Sequence, residues 1–129
     1  MSSFGSPHEK HEHSFKNVLS YMYEYDDFMD SVGRVIDLGC DVEATDMLWW
    51  ASATTRDEAK TPLGIKCVGV NTFKRLNSSH NSISYQNHNI ESLNRVKKSF
   101  DIVYCYDQLQ YLLNPYQALS NWWHIANKD

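Results

Sequence analysis

At 129 residues the chain has room for one domain rather than two. Hydrophobic residues at 42% and aromatics at 13% supply a core, and sixteen acidic against twelve basic residues leave a net charge of −4, with no basic surplus to draw the protein to nucleic acid. No apolar stretch approaches the roughly 18 residues of a membrane span, and the polar Met1–His13 segment is no secretory signal, so the expectation is a cytoplasmic protein without a membrane partner.

In chain order, residues 1–13 contain Gly5, Pro7 and three histidines and read as a flexible tail, with a single domain over 14–129. His8, His11 and His13 match no zinc-ligand spacing, so no metal is expected. From Phe15 the apolar residues Phe15, Val18, Leu19, Met22, Met29 and Val32 recur at helical spacing. They predict a helix from about 15 to 31, with Ser14 as its N-cap and Gly33 at its C-terminal end. Arg34 to Leu38 is then a short strand, broken by Gly39, and a second helix opens near Thr45 and runs through Met47, Leu48, Trp50 and Ala51. A polar loop over 54–64 leads to a strand at Ile65–Val70. Thr72–Leu76 is at most a short helix. Ile83–Gln86 is a third strand, Ile90–Lys98 a weak helix and Phe100–Tyr106 a fourth strand. Asn114 as N-cap with Pro115 in the first helical position opens the last helix, through Tyr116, Leu119, Trp122, Trp123 and Ile125.

Apolar strands alternating with helices predict an α/β architecture, a parallel sheet of about four strands with flanking helices. Cys40, Cys67 and Cys105 form no CxxC pair and read as reduced thiols, with Cys67 and Cys105 inside strands as small core residues. Each Trp pair, Trp49–Trp50 and Trp122–Trp123, turns one indole inward and one outward. In such sheets ligands bind beyond the carboxyl ends of the strands. The candidate shelf is therefore Asp37–Asp41, Asn71–Phe73, His88–Ile90 and Tyr106–Gln108, polar and small where the preceding residues are apolar.

VIDLGC followed by a helix resembles the first strand, loop and helix of class I, Rossmann-like S-adenosylmethionine-dependent methyltransferases. CVGVN, HNIESL and FDIVYCYDQLQYLLNP resemble the second, third and fourth strands with their loops, in order and at natural spacing over about residues 34–126. The resemblance implies S-adenosyl-L-methionine as cofactor. It places Asp37, Gly39 and Cys40 at the methionine end, Asn71 at the ribose, and Asn89 and Ile90 along the adenine. Cys105 to Gln108 would face the methionine end or the substrate, and Asp107, Gln108 and Tyr111 would offer contacts to an unidentified methyl acceptor. SYMYEYDDFM and the Asn-Pro-Tyr-Gln-Ala-Leu helix further resemble methyltransferase-like proteins of marine bacteriophages, which implies a host cytoplasm.

The departures from the family pattern are specific. Asp41, Val42 and Glu43 stand where two further glycines are usual, and glycine there permits positive φ and close backbone approach. Asn71 replaces the ribose-binding acid, with one acceptor oxygen in place of a charged pair. The chain reaches Asp129 before three further strands of the family sheet. That implies an incomplete, C-terminally truncated fold, as a natural remnant, a fragment or half of an assembly, with a free edge on the fourth strand open to self-association. No catalytic base stands out, and in-line positioning of acceptor and activated methyl does not demand one. Two function classes remain open: the cofactor-binding half of a methyltransferase, and a truncated, non-catalytic methyltransferase-like binding or interaction module. A dinucleotide-dependent oxidoreductase lacks its GxGxxG spacing.

Overall fold

The computed structural model describes residues 7–24, 28–93 and 100–126. The chain divides into two compact units, Met1–Ser31 and Val32–Asp129. In the first unit, helix α1 spans Pro7–Glu24 and a 3₁₀ turn spans Phe28–Ser31. The helix thus begins inside the segment read as a tail, and Ser14 lies within it instead of capping it. A proline in the first helical position costs no hydrogen bond, and Glu12 pairs with Lys16 one turn later at 3.1 Å. Polar residues with these local supports extend a helix that apolar periodicity alone does not reveal. Gly33 does not close the long helix; it follows the 3₁₀ turn and leads directly into a strand.

The second unit contains β1 (Arg34–Leu38), α2 (Thr45–Ala51), β2 (Lys66–Asn71), β3 (Ile83–Asn87), β4 (Ile102–Tyr104), a 3₁₀ turn (Leu109–Tyr111) and α3 (Pro115–Ile125). All strand pairs are parallel, and the order across the sheet is β3-β2-β1-β4. The chain moves outward from β1 through β2 to β3, then returns to the other side of β1 as β4. This reversal places the topological switch point between β1 and β4. β1 carries one exposed residue, Arg34, followed by four buried ones, as a central strand covered on both faces should.

Successive side chains of a strand face opposite ways, and this assigns the two layers. Ile36, Leu38, Val68 and Val70 pack in one cluster with Ala118, Trp122 and Ile125 of α3 and with Ile90, Leu93 and Phe100. Asp37, Cys67 and Gly69 therefore face the other way, towards α2. A Cβ on Gly69 would collide with the Met47 side chain and lie 2.8 Å from Cys40 Sγ, so the missing side chain is what lets α2 sit this close to β2. The Cys67 thiol donates to the Met47 carbonyl at 3.6 Å in the same contact.

The N-cap of α3 is as the sequence indicates: Asn114 accepts from the Gln117 amide and Pro115 opens the helix. β4 is shorter than Phe100–Tyr106, because the chain turns at Asp107, whose φ is 58°. Thr72–Leu76 forms no helix. Phe73 instead stacks on Tyr85 with ring centroids 5.4 Å apart, and its carbonyl accepts the Tyr85 hydroxyl at 2.5 Å. Of the predicted Ile90–Lys98 helix, Ile90 and Glu91 lie in a turn and residues 94–99 fall outside the described residues.

The outer edge of β4 is partly covered by the chain itself. The Asp101 amide donates to Arg34 on the β1 side, while the preceding Phe100 amide donates to the Ile125 carbonyl at 3.4 Å. Successive strand amides point in opposite directions, so residues 125–126 lie beside β4 away from β1, joined by a parallel Phe100–Ala126 bridge. Among the described residues no helix is long and apolar enough to cross a membrane.

Candidate functional site

Parallel strands end on one side, where hydrogen bonds tie the tips of β1, β2 and β3 together and the loop after β4 packs against them. The Gly39 and Cys40 amides donate to the Val70 carbonyl at 2.8 and 3.3 Å, which joins the β1 loop to β2. The Asn71 carboxamide donates to the Cys40 carbonyl at 2.7 Å. The His88 amide donates to the Asn71 carbonyl at 3.0 Å, which brings in the segment after β3. On the switch-point side, a Cβ at Gly39 would lie 2.6 Å from Cγ of Gln108, so the β4 loop touches the β1 loop directly. Gly39 has φ +82°, a conformation side-chain-bearing residues rarely adopt.

The substituted glycine loop has its own solution. Asp41 accepts the Thr45 amide at 2.8 Å through its carboxylate, serving the first turn of α2 where a glycine has nothing to offer. Ala44 takes the left-handed turn, with φ 58°. The loop is then fastened to the chain beyond β2. The Val42 carbonyl accepts the Asn77 amide at 2.8 Å, the Asn77 side chain reaches Glu43 at 2.9 Å, and Ser78 donates to the Glu43 carbonyl at 2.6 Å.

Asn71 is engaged at both ends of its amide. Its nitrogen faces a carbonyl and its oxygen accepts the Thr72 amide at 2.8 Å, so the partners themselves fix the orientation of the group. A carboxylate could not make the first of these contacts. The Asn89 side chain accepts the Glu91 amide at 2.9 Å in a local turn. Ile90 sits in the core beneath α3, and its carbonyl accepts the Trp122 indole at 2.7 Å. The same turn is clamped again through Glu91. Its carboxylate accepts the Leu113 and Asn114 amides at 2.9 and 3.3 Å, and its carbonyl accepts Asn121 at 2.8 Å.

The acid at the base of the shelf is the electrostatic focus. Asp37 is 3% exposed, paired across the sheet with Gly69 and Tyr104. Burial foremost, then the like charges of Asp46 and Asp41, hold its carboxyl well above the usual aspartate range. Asp46, in the first turn of α2, is 6% exposed and hydrogen-bonds the Tyr104 hydroxyl. Burial pushes the Cys40 and Cys67 thiols up to about 12 and Cys105 to about 11, with Asp37 adding to each. These thiols stay protonated at neutral pH and are not nucleophiles.

The structure thus brings Asp37, Gly39, Cys40, Asn71 and Gln108 together along the shelf. The Asn89 side chain closes its own turn, and the Ile90 side chain points into the core. Asp107 is exposed and bonds Gln110, and Tyr111 is 72% exposed on the 3₁₀ turn. Among the described residues, no group of three His, Cys, Asp or Glu side chains is placed to hold a metal ion. Sequence reasoning missed Asp46 and Glu91. The signal for Asp46 is its spacing: it stands four residues before Trp50 and beside Met47, on the buried stripe of α2.

A family model described as "Methyltransferase domain" matches residues 36–129. Among solved structures, the chain is similar to the YcgJ protein from Bacillus subtilis, at 17% identity and a TM-score of 0.64, covering 91% of this chain and 47% of that one. It is also similar to a complex between the Haloferax volcanii Trm112 methyltransferase activator and a proposed methyltransferase, at 16% identity and a TM-score of 0.56, covering 90% and 53%. The chain therefore spans about half the length of these structures, and at such identities the likeness establishes the fold. No curated protein matches the sequence.

Proposed function

We propose that this chain, which belongs to the methyltransferase domain family, binds S-adenosylmethionine along the β1–β4 shelf as the cofactor-binding half of a methyltransferase. The observation that carries this is Asp37: a buried carboxyl at the switch point, held well above the usual aspartate range by its burial and by the like charges of Asp46 and Asp41. A cationic ligand is what such a group lacks. The left-handed Gly39 beside it supplies close backbone approach at the same place. Gln108 lies over Gly39, and its flexible side chain swings aside to admit the ligand. S-adenosylmethionine supplies an activated methyl group on a sulfonium sulfur.

In this account Asp37 meets the cationic methionine end, Gly39 and Cys40 line it, and Asn71 presents the remaining lone pair of its oxygen to a ribose hydroxyl. The backbone of Asn89 and Ile90, held by Trp122 and Glu91, borders the adenine. Acceptor contacts fall to Asp107, Gln108 and Tyr111. The test is calorimetric titration with S-adenosylmethionine and S-adenosylhomocysteine. Saturable binding that weakens in Asp37→Ala is expected, and a folded sample that takes up neither ligand refutes the proposal.

A second reading, a methyltransferase-like binding module without catalysis, is favoured by Asn71. Its amide is engaged with Cys40 and Thr72, where the family acid is free to take both ribose hydroxyls. The same titration decides between the two.

A further inference from the structure

Glu91 stands in the turn after β3, next to the Asn89 and Ile90 backbone, and its own amide donates to the Asn89 side chain at 2.9 Å. Its carboxylate serves a segment 22 residues further along the chain. One oxygen accepts the Leu113 amide at 2.9 Å and the other accepts the Asn114 amide at 3.3 Å. These two amides join the 3₁₀ turn Leu109–Tyr111 to the N-cap of α3. Within that turn the Tyr111 amide donates to the Gln108 carbonyl at 3.0 Å, and Leu112 to Leu109 at 3.3 Å. The segment carrying Gln108 and Tyr111 is therefore bonded internally up to the point where Glu91 takes hold. Stability at this junction comes from elsewhere, since the buried Trp122 indole already ties α3 to the Ile90 carbonyl at 2.7 Å. Both carboxylate bonds of Glu91 are exposed, so water can replace either partner and they add little to folding. What a paired acceptor on consecutive amides does fix is direction and distance.

We propose that Glu91 is a positioning residue: it holds the acceptor-side turn in register with the adenine-side turn, so that a ligand settling against residues 88–90 also orders residues 111–114. The inference rests on the proposed binding of S-adenosylmethionine and adds to it a link between cofactor and acceptor. Ligand contact restricts the backbone of Asn89 and Ile90. The Glu91 carboxylate follows that backbone, and the Leu113 and Asn114 amides follow the carboxylate. Linkage makes the effect mutual, so an acceptor held at Tyr111 tightens the cofactor by the same factor. One exposed pair of bonds sets that factor at the low end of coupling between sites, about fivefold. Glu91→Gln leaves one acceptor oxygen for two amides and Glu91→Ala leaves none, so the link weakens in that order.

Amide hydrogen exchange of the full chain, read residue by residue with and without saturating S-adenosylhomocysteine, tests this without any measurement of turnover. In the wild-type protein the ligand should slow exchange at Gly39–Cys40 and His88–Ile90, and by about fivefold at Tyr111–Asn114. In Glu91→Ala the slowing at Gly39–Cys40 should persist and that at Tyr111–Asn114 should vanish, at a thermal midpoint close to wild type. A Glu91 that only braces the fold gives the opposite pattern: a lowered midpoint with the ligand's effect on Tyr111–Asn114 intact. That result overturns the inference, as does slowing carried to the turn through Gln108 alone, which also survives in Glu91→Ala. Binding by the wild-type protein that leaves Tyr111–Asn114 unchanged overturns it too, and the proposed function then stands. A folded protein that takes up no ligand overturns both. If Glu91→Ala fails to fold, Glu91→Gln carries the test, where a reduced effect at Tyr111–Asn114 is expected and a wild-type effect refutes the link.

Discussion

Asn71→Asp exchanges one atom and isolates the latch between the first two loops. In the wild-type protein the Asn71 nitrogen donates to the Cys40 carbonyl at 2.7 Å, while its oxygen accepts the Thr72 amide. After the substitution two acceptors face each other across the first contact, one of them charged, and the second contact survives. Losing a net hydrogen bond costs about 1 kcal/mol, and stranding the partner carbonyl raises the cost to about 1–3 kcal/mol. The half-buried position of Asn71 favours the lower part of that range, since water can reach the carbonyl. Urea unfolding at neutral pH should show a lower midpoint at an unchanged slope. Acidification should restore part of the loss, because a protonated carboxyl again has a donor to offer. Wild-type stability of Asn71→Asp at neutral pH would refute the latch.

Gly69→Ala pushes a methyl group into fully buried Met47 and against Cys40, and should cost about 1–3 kcal/mol by overpacking, read as a lower thermal midpoint. Trp122→Phe keeps a ring under the sheet but removes the donor to the Ile90 carbonyl, at about 1–3 kcal/mol; amide exchange should speed up over residues 88–91 if α3 clamps that turn. The raised carboxyl of Asp37 makes a pH prediction with a definite sign. Its contribution to stability is full below its ordinary value of 3.8 and is lost as pH rises towards its elevated folded value. The stability of Asp37→Asn relative to wild type should therefore increase with pH above that point in urea titrations, and a difference that stays constant with pH contradicts the burial account.

The strands were the part of the fold most readable from sequence, for a physical reason. Arg34–Leu38 sets Val35, Ile36 and Leu38 between Gly33 and Gly39, and the structure places β1 on those five residues. Asn114–Pro115 marked α3 equally well, since cap chemistry is local. Elements held by longer-range contacts were misjudged. Phe73 carries helical neighbours but is drawn to Tyr85, twelve residues on, so that sheet geometry rather than local propensity decides its place. α1 begins at Pro7 among His, Glu and Lys residues with no apolar stripe, although Ser6-Pro7-His8-Glu9 carries the capping signature of a helix start. In the site, Asp37, Gly39 and Asn71 announced themselves by ending apolar runs. The engagement of Asn71 with Cys40 and the burial of Asp46 depend on how α2 lies over β2, which no single segment of sequence records.

The most direct test of the shelf itself is residue-resolved. Amide NMR spectra of the labelled chain, titrated with S-adenosylhomocysteine, should show shifts clustered at Gly39–Asp41, Asn71–Phe73, His88–Ile90 and Tyr106–Gln108, moving together along one binding curve. Shifts confined to α3 or scattered away from these four strand tips would contradict the account.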